Sequence, residues 1–171
     1  MTAGPPSRQG GPVAVGAPIG GTIRGMNDAA NVTVRAAASS DAERLAALLT
    51  DEGYPAGATD LGARIERFST HEARVLVAEA GGEVVGFIAF HLLPRFETDE
   101  WFARIVALVV DPGVRERGIG RLLMTEVEAA AKAEGASFLE ITAGHHRPDA
   151  RKLFESLGYD AGVAAYLRKR P

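Results

Sequence analysis

The chain has 171 residues, of which 46% are hydrophobic, and its 19 lysines and arginines against 22 acidic residues give a net charge of -3. This length predicts one domain with a proper core, and the nearly balanced charge gives no reason to expect nucleic acid or an anionic membrane as a partner. The lack of cysteine excludes disulfides, thiolate nucleophiles and cysteine-based zinc sites. No apolar run is long enough to span a bilayer or to form a signal-peptide core, so we expect a cytoplasmic protein that acts on a small molecule or a peptide.

Residues 1–30 differ in composition from the rest of the chain. They include seven glycines and four prolines and have hardly any apolar periodicity. We therefore predict a disordered, Gly/Pro-rich N-terminal extension over 1–30 and a folded domain over 31–171. Because Met26 stands just before the first predicted element, the sequence leaves open whether residues 1–25 have a function.

Strand and helix patterns alternate from residue 31 onward. Two early segments carry apolar residues at helical spacing and predict a pair of amphipathic helices. Gly81-Gly82 lies between two strand patterns, which is typical of a hairpin. In order, the patterns predict a strand over 31–36, the two helices (with Leu45, Leu48 and Leu49, then Leu61, Ile65 and Phe68), strands over 74–80, 83–93 and 101–110, a helix from about 118 to 134, a strand over 138–142, a helix over 148–157 and a strand over 163–167.

The predicted order is therefore β-α-α-β-β-β-α-β-α-β. It indicates the α/β fold class, with a mixed (α+β) sheet that carries helices on both faces. The hairpin makes the early strands antiparallel, whereas a helical crossover makes the fourth and fifth strands parallel.

The most informative stretch runs from Val109 to Met124. A strand pattern ends at Asp111-Pro112-Gly113, and a helix begins at about Gly118. Gly118 and Gly120 lack a Cβ where the helix opens, so unpaired backbone N–H groups of the first turn can point at an anion that approaches closely. This pattern predicts a phosphate or pyrophosphate ligand. The alternative is an ordinary surface turn whose glycines ease the start of a helix.

Two common phosphate-binding motifs do not fit this loop. A Walker A loop needs Gly-Lys-Ser/Thr, but Gly120 is followed by Arg121-Leu122, so nucleotide hydrolysis is not predicted. A dinucleotide fingerprint needs a glycine where this chain has Leu123.

The pattern Arg115-x-x-Gly118-x-Gly120 after a strand resembles the pyrophosphate loop of the GNAT superfamily of acetyl-CoA-dependent N-acetyltransferases. A second segment, Ala150 to Tyr159, reads Ala-Arg-Lys-Leu-Phe-Glu-Ser-Leu-Gly-Tyr and is similar to that superfamily's penultimate helix, Ala-x-x-Phe-Tyr-Glu-x-Leu-Gly-Phe/Tyr. The resemblance covers about residues 32–169. It implies a GNAT-like acyl-CoA N-acyltransferase fold and an N-acetyltransferase domain over 31–171.

The resemblance also implies acetyl-CoA as co-substrate, wedged between the fourth and fifth strands. Pantetheine would pair with the strand backbone at 108–110, where family members usually have a bulge. Backbone N–H groups at 115–121, with the charges of the loop arginines, would hold the pyrophosphate. The expected cofactor-binding residues are Leu108, Val109, Val110, Arg115, Glu116, Arg117, Gly118, Ile119, Gly120, Arg121 and Phe154.

Acetyl transfer to an amine needs a base that removes the ammonium proton, because a free alkylammonium has a pKa of ~10.4. It also needs a proton for the departing thiolate. Family members often use a glutamate in the fourth strand and a tyrosine in the late helix, but Arg104 and Phe154 occupy these positions here. We expect other groups to take over, with Glu100 and His145 as the candidate catalytic residues. Further candidates are Glu97, Asp99 and His146, although polar loop residues of this kind are also commonly solvated or structural.

The resemblance places the acceptor against the two early helices, with Tyr54 between them. Tyr54, Glu97 and Asp99 are the expected substrate-binding residues, and the acidic loop 97–100 would attract a cationic acceptor such as a polyamine, an aminosugar or a basic peptide. The adjacent His145 and His146 are not expected to form a metal site, since no third ligand is apparent.

The first functional hypothesis is direct transfer of the acetyl group of acetyl-CoA to a primary amine of a small molecule or peptide. The alternative is a non-catalytic acyl-CoA-binding sensor or interaction module, which the residues at 104 and 154 favour. Transfer of another acyl group is a third reading. By analogy with the family, a homodimer is a plausible assembly.

Overall fold

A computed structural model describes residues 31–142 and 148–160. The predicted N-terminal extension over 1–30, the predicted last strand over 163–167, and His145 and His146 lie outside these residues. None of the described helices is long and apolar enough to cross a membrane. The described elements are β1 (Val32–Ala36), α1 (Ala42–Asp51), α2 (Ala58–Arg67), β2 (Ala73–Ala80), β3 (Glu83–Pro94), β4 (Trp101–Val110), α3 (Ile119–Ala133), β5 (Ala136–Ile141) and α4 (Pro148–Ser156).

The five described strands form one sheet in the order β1-β2-β3-β4-β5. Strands β1 to β4 pair antiparallel, and β5 pairs with β4 in parallel, which confirms the predicted mixed sheet. Gly81 and Gly82 both have positive φ, 59° and 87°, as a tight hairpin between β2 and β3 requires. The predicted order holds from β1 to α4, with two unpredicted 3-10 turns at Ser39–Asp41 and Pro112–Val114.

Strand β5 begins two residues earlier than predicted and ends one residue earlier. Its parallel ladder starts with Ala136 opposite Trp101 and ends with Ile141 opposite Ile105. The prediction of 138–142 followed the apolar pattern alone, whereas pairing with β4 also recruits small residues at the start of the strand.

The sheet separates two hydrophobic layers. One layer contains α3 and α4, and the other contains α1 and α2. Helices on both faces were predicted, and the apolar stripes that the sequence shows on α1, α2 and α3 are the faces that become buried. The α3/α4 layer is built around Ile88, Phe90, Leu92, Ile105, Leu123, Met124, Val127 and Phe154, and the α1/α2 layer around Leu45, Leu48, Leu61, Ile65, Val77, Phe87 and Val109.

Strand β4 reverses the facing of its side chains at a bulge. The register between β3 and β4 shifts so that Val106 is an extra residue. Before it, Ala103 and Ile105 pack in the α3/α4 layer, and after it, Ala107 and Val109 pack in the α1/α2 layer. A bulge was expected at 108–110, but it lies earlier, at Val106. It must come before Ala107, because the Ala107 side chain already packs in the α1/α2 layer.

Candidate functional site

The described pairing of β4 with β5 stops just short of the bulge. Their pairing ends at Ile105 opposite Ile141, while β4 continues to Val110. The β5-facing backbone of 106–110 therefore has no ladder partner among the described strands. Leu108, Val109 and Val110, the predicted pantetheine-binding residues, lie on this edge.

The loop between β4 and α3 contains two residues with left-handed backbone. Glu116 has φ of 64°, and Gly118, the N-cap of α3, has φ of 81°. Alternation of right- and left-handed residues turns successive N–H groups toward one concavity, which suits an anion. The first helical bond of α3 runs from Leu122 to Gly118 at 2.9 Å, so the N–H groups of the preceding turn have no acceptor within the helix. Ile119, Gly120 and Arg121 supply those N–H groups.

The two loop positions require glycine for different structural reasons. Gly118 adopts a left-handed conformation that side-chain-bearing residues rarely take. Gly120 has ordinary helical backbone, but a Cβ there would lie 3.1 Å from Cδ2 of Leu153 on α4. Gly120 therefore lets α4 pack closely on α3, besides leaving the helix start open.

The arginines of this loop are held by protein groups. Arg115 forms an ion pair with Glu52 at the end of α1, and its Nε donates to the carbonyl of Val110 at 3.3 Å. Arg121 donates to Oγ of Ser156 at 2.8 Å, which joins α3 to α4. A bound pyrophosphate would compete with Glu52 for Arg115, so the positive charge of the loop is only partly available.

A second contact from α1 fixes the end of β4. Arg44 forms an ion pair with Asp111 and donates to the carbonyl of Val84 at 2.9 Å. The Gly113 amide, which donates to Asp111 at 2.7 Å, and then Arg44 hold the pKa of the Asp111 carboxyl below its usual value. The turn that follows β4 is thus tied to both α1 and the hairpin strand β3.

The acidic loop 97–100 lies at the opposite end of β4. Arg95 lies 3.8 Å from Glu97 and 3.3 Å from Glu100, and the Glu100 carboxylate also accepts from Ser137 at 3.2 Å. At ~3.3 Å per strand residue, Glu100 is about 20 Å from the bulge at Val106. Glu100 therefore lies at the far end of β4 from the loop at 115–121, and its catalytic role stays a prediction.

The other predicted acceptor-side residues are exposed. Tyr54 is 58% exposed in the connection between α1 and α2, and Asp99 is exposed in the acidic loop. Neither the catalytic nor the substrate-binding assignments are tested by these positions, so they stay predictions. His145 lies outside the described residues.

A row of polar side chains crosses the α1/α2 face of the sheet just before the bulge. Arg104 stands opposite His91 on β3 and opposite Glu140 on β5. Nη1 of Arg104 donates to Oε1 of Glu140 at 2.9 Å, and the His91 ring packs 4.7 Å from the ring of Phe68. The sequence analysis did not select His91 or Glu140. Both alternate with core residues in strand patterns, but only the register of β3, β4 and β5 brings them beside Arg104.

Phe154 occupies a core position. It is 7% exposed, and its ring lies 6.0 Å from the ring of Tyr159. Burial, with a smaller effect of the Glu128 charge, raises the pKa of Tyr159 to about 12. Phe154 has no proton to donate to a leaving thiolate, and its assignment as a cofactor-binding residue stays a prediction.

A cleft of about 210 Å³ lies between α1, α2 and the sheet, and we call it the acceptor-side cleft. It reaches the bulge, because Val106 and Ala107 form part of its wall. Its lining is apolar except for one charged side chain, Arg64. The remaining lining residues are Leu45, Leu49, Leu61, Ile65, Phe68, Val75, Phe87 and Ala89.

Comparison with known proteins agrees with this geometry. The Acetyltransferase (GNAT) family matches residues 41–159. The uncharacterized N-acetyltransferase YhfO of Bacillus subtilis (strain 168) is 33% identical over 150 residues, which are 82% of this chain and 99% of that protein. The aminoalkylphosphonate N-acetyltransferase of Salmonella typhimurium is 34% identical over 83 residues, which are 48% of this chain and 54% of that protein. A solved structure of a transcriptional regulator from Bacillus halodurans C-125 has the same fold, with a TM-score of 0.75 and 23% identity over 82% of this chain and 100% of that one.

Proposed function

Since the chain belongs to the GNAT acetyltransferase family, we propose that it transfers the acetyl group of acetyl-CoA directly to a primary amine of a small molecule or peptide. The observation that supports this most is that β4 runs on past its last pair with β5, at Ile105, toward the loop with left-handed Glu116 and Gly118. The edge of β4 at 106–110, which has no partner among the described strands, suits the pantetheine amides, and the concavity at Gly118 suits the pyrophosphate. The two features lie in the order that one extended CoA molecule requires.

The described residues fit an acetyl-CoA donor. When bound, that donor supplies an acyl group on a thioester, which an amine can attack. The backbone N–H groups at 116–121 would bind the pyrophosphate, and the edge of β4 would align the thioester with the bulge at Val106. Holding donor and acceptor together at this point would supply much of the rate enhancement of the reaction through proximity alone. With no cysteine in the chain, the acetyl group passes to the amine without a thiol intermediate.

The reaction forms an N–C bond, breaks the C–S bond and moves two protons. The ammonium form of the acceptor must lose a proton before attack, and the thiolate takes one up as CoA leaves. Glu140 is the carboxylate that lies one residue before the end of β5, on the α1/α2 face of the sheet, with 39% of its side chain exposed. It is therefore the base that this geometry favours, directly or through a water, in place of the usual glutamate on β4.

The name of one relative bears on the acceptor. The Salmonella typhimurium protein is called an aminoalkylphosphonate N-acetyltransferase, so its named substrates are small amines that also carry an anion. Its match spans about half of each protein. This supports a small-molecule amine as the acceptor of the present chain.

The experiment that tests the proposal is calorimetric titration with acetyl-CoA followed by a free-thiol release assay over a panel of amines and peptides. We expect micromolar binding and release that depends on the acceptor. Failure to bind acetyl-CoA would contradict the site assignment. Binding without release for any amine would favour the second candidate, a non-catalytic acyl-CoA sensor, which Arg104 and Phe154 at the usual catalytic positions support.

A further inference from the structure

Three phenylalanines lie at the end of the sheet where β4 and β5 begin, and we call Phe96, Phe102 and Phe138 the aromatic patch. Phe96 is fully exposed, and Phe138 is 41% exposed. The rings of Phe102 and Phe138 stack, with 5.1 Å between their centres and 13° between their planes. Among the described residues, these two rings pack in neither hydrophobic layer. Exposed apolar side chains grouped in this way, with polar residues around them, are typical of an interaction surface.

The loop that carries Phe96 is held in shape by its own hydrogen bonds. The Arg95 amide donates to the carbonyl of Glu100 at 2.9 Å, and the Glu100 amide donates to Oγ1 of Thr98 at 3.3 Å. The Glu100 carboxylate is also tied to the start of β5 by Oγ of Ser137. Phe96 is therefore presented by a preformed loop, so a contact through its ring costs little conformational entropy.

The charges around the aromatic patch come in two complementary halves. The Arg95 guanidinium lies 5.7 Å from the centre of the Phe138 ring. Its pair with Glu97 is long, at 3.8 Å, and the Glu97 side chain is 72% exposed. One half of the surface is thus the Phe96 ring beside a carboxylate, and the other half is the Phe138 ring beside a guanidinium. Ring can meet ring and carboxylate can meet guanidinium if the two halves face each other.

We propose that the aromatic patch is the contact between two copies of this chain. In a two-fold arrangement, Phe96 and Glu97 of one copy meet Phe138 and Arg95 of the partner subunit, and the symmetry repeats the contact. The surface contains both halves of that contact, which makes it self-complementary. The resemblance implied a homodimer without a surface, and the aromatic patch assigns one at the β3–β4 loop and the starts of β4 and β5.

The area of the aromatic patch indicates a weak dimer. A fully exposed phenylalanine can bury ~200 Å², and the exposed part of Phe138 adds about 80 Å². The two rings would supply about a third of the ~800 Å² that each subunit of a standard interface buries. Exposed polar residues at 97–100 and 137 provide a rim around them. We therefore expect a dimer that dissociates on dilution into the micromolar range.

Sedimentation velocity of the full chain, from micromolar to millimolar concentration, tests the proposal. The mass of the wild type should rise from that of one chain toward that of two. Phe96→Ser should weaken the dimer by at least ~10-fold, whereas Phe96→Tyr should retain it. Tyr54→Ser, which removes a 58% exposed aromatic ring outside the patch, is the matched control. A wild type that stays monomeric, or a dimer that Phe96→Ser does not weaken, would overturn the proposal.

A charge reversal tests the pairing of the two halves. Glu97→Arg places a cation opposite Arg95 of the partner subunit and should weaken the dimer by about 10-fold, with the loss reduced at high salt. Glu83→Arg makes the same change of charge in the β2–β3 hairpin and should have no effect. Two acidic loops that merely repelled each other would instead bind more tightly after Glu97→Arg. A tighter or unchanged dimer would therefore contradict the arrangement.

Spin labels locate the contact directly, because the chain has no cysteine of its own. A nitroxide at Asp99→Cys lies beside the patch, and one at Glu83→Cys lies at the other end of β3, whose 12 residues span roughly 40 Å. At millimolar protein, the distance between the two Asp99→Cys labels of a dimer should be much shorter than that between the Glu83→Cys labels. The reverse order would place the contact elsewhere and overturn the proposal.

The dimer is independent of the proposed acetyltransferase function. The loop at 115–121 lies at the other end of β4, so acetyl-CoA titrated into wild type and into Phe96→Ser should bind with the same Kd. Thermal melting checks that the variant is folded. If acetyl-CoA bound to neither protein, the proposed function would fall, and the sedimentation result would still decide the dimer.

Discussion

At the scale of single residues, the loop between β4 and α3 depends on the left-handed backbone of Gly118. With φ of 81°, this position tolerates glycine and, at some cost, asparagine or aspartate. The sequence predicted the loop because glycine pairs at a helix start are locally recognisable. The sequence did not predict why residue 120 must be small, because its contact with Leu153 depends on how α4 packs on α3.

Gly118→Asp should weaken acetyl-CoA binding by at least ~10-fold relative to Gly118→Asn. Both side chains impose the same backbone strain, but only aspartate places a negative charge where the pyrophosphate and the helix N-terminus meet. Calorimetric titration measures the difference, and thermal melting checks that the two variants are equally stable. Equal affinities of the two variants would show that no anion binds beside Gly118.

Glu140→Gln should lower kcat by about 100-fold, since a general base typically contributes 10²–10⁴-fold, and should leave the Kd for acetyl-CoA unchanged. Arg104→Met is the matched control, because it also breaks the 2.9 Å ion pair but keeps the carboxylate. If both variants lose the same activity, the ion pair has a structural role and Glu140 is not the base. Glu83→Gln, an exposed carboxylate in the β2–β3 hairpin, controls for the change in charge.

At the scale of secondary-structure elements, α1 connects the early chain to the loop between β4 and α3. Arg44 binds Asp111 at the end of β4, and Glu52 binds Arg115 in the loop that follows. The helix itself was predictable from its leucine spacing. These two ion pairs were not, because they join residues more than sixty positions apart in sequence.

Glu52→Gln should raise the affinity for acetyl-CoA, by about threefold, because Arg115 then keeps a hydrogen bond but loses its competing counter-charge. The measurement is the Kd for acetyl-CoA at two salt concentrations, with screening expected to reduce the difference. A lower affinity in the variant would mean that Glu52 positions Arg115 for the pyrophosphate and does not compete with it.

The start of α1 is held by a carboxylate that makes stability depend on pH. Asp41 is 7% exposed, binds Arg35 at 2.7 and 2.9 Å, and accepts from the Ala38 amide at 2.8 Å. The hydrogen bonds from Arg35 hold the pKa of Asp41 below its ordinary value despite its burial. The folded form thus binds this proton less readily than the unfolded form, and the stabilisation is complete above the unfolded pKa of ~3.9 and lost as the pH falls through the folded pKa.

Asp41→Asn should therefore lower the free energy of unfolding by about 2 kcal/mol at pH 7, the cost of losing a charged, hydrogen-bonded partner in a largely buried position. The difference from wild type should shrink below pH ~4, where the wild-type carboxyl also becomes protonated. Urea unfolding at pH 7 and pH 3 measures both values, with Asp99→Asn in an exposed loop as the control. A difference that does not change with pH would show that the Asp41 charge contributes nothing.

At the scale of the whole molecule, the two faces of the sheet carry different parts of the proposed site. The α3/α4 layer presents the helix start that suits a pyrophosphate, and the α1/α2 layer encloses the acceptor-side cleft. The cleft reaches the edge of β4 at Val106. Local patterns predicted the elements and the mixed sheet, but this position depends on one bulge that is set by the register between β3 and β4.

The registers of β3, β4 and β5 also determine which polar residues lie near the bulge. Arg104 was recognised from its position in a strand, whereas its partner Glu140 needed the parallel pairing of β5. Glu100 was selected from the sequence because it is acidic and lies near β4. The length of β4 then separates it from the bulge, a distance that a linear pattern does not reveal.

Binding of CoA should stabilise the whole fold, because in the proposed arrangement its pyrophosphate contacts the start of α3 while its pantetheine pairs with the edge of β4. At a concentration of 100 Kd the linkage adds ~2.7 kcal/mol, which for a domain of this size raises Tm by roughly 5–10 °C. Pantetheine, which lacks the pyrophosphate, should give a much smaller rise at the same concentration, and Gly118→Asp should lose most of the CoA effect. Thermal melting of wild type and variant with each ligand measures all four values. If pantetheine stabilised the wild type as much as CoA does, the loop between β4 and α3 would not bind the pyrophosphate, and the sheet edge alone would account for the affinity.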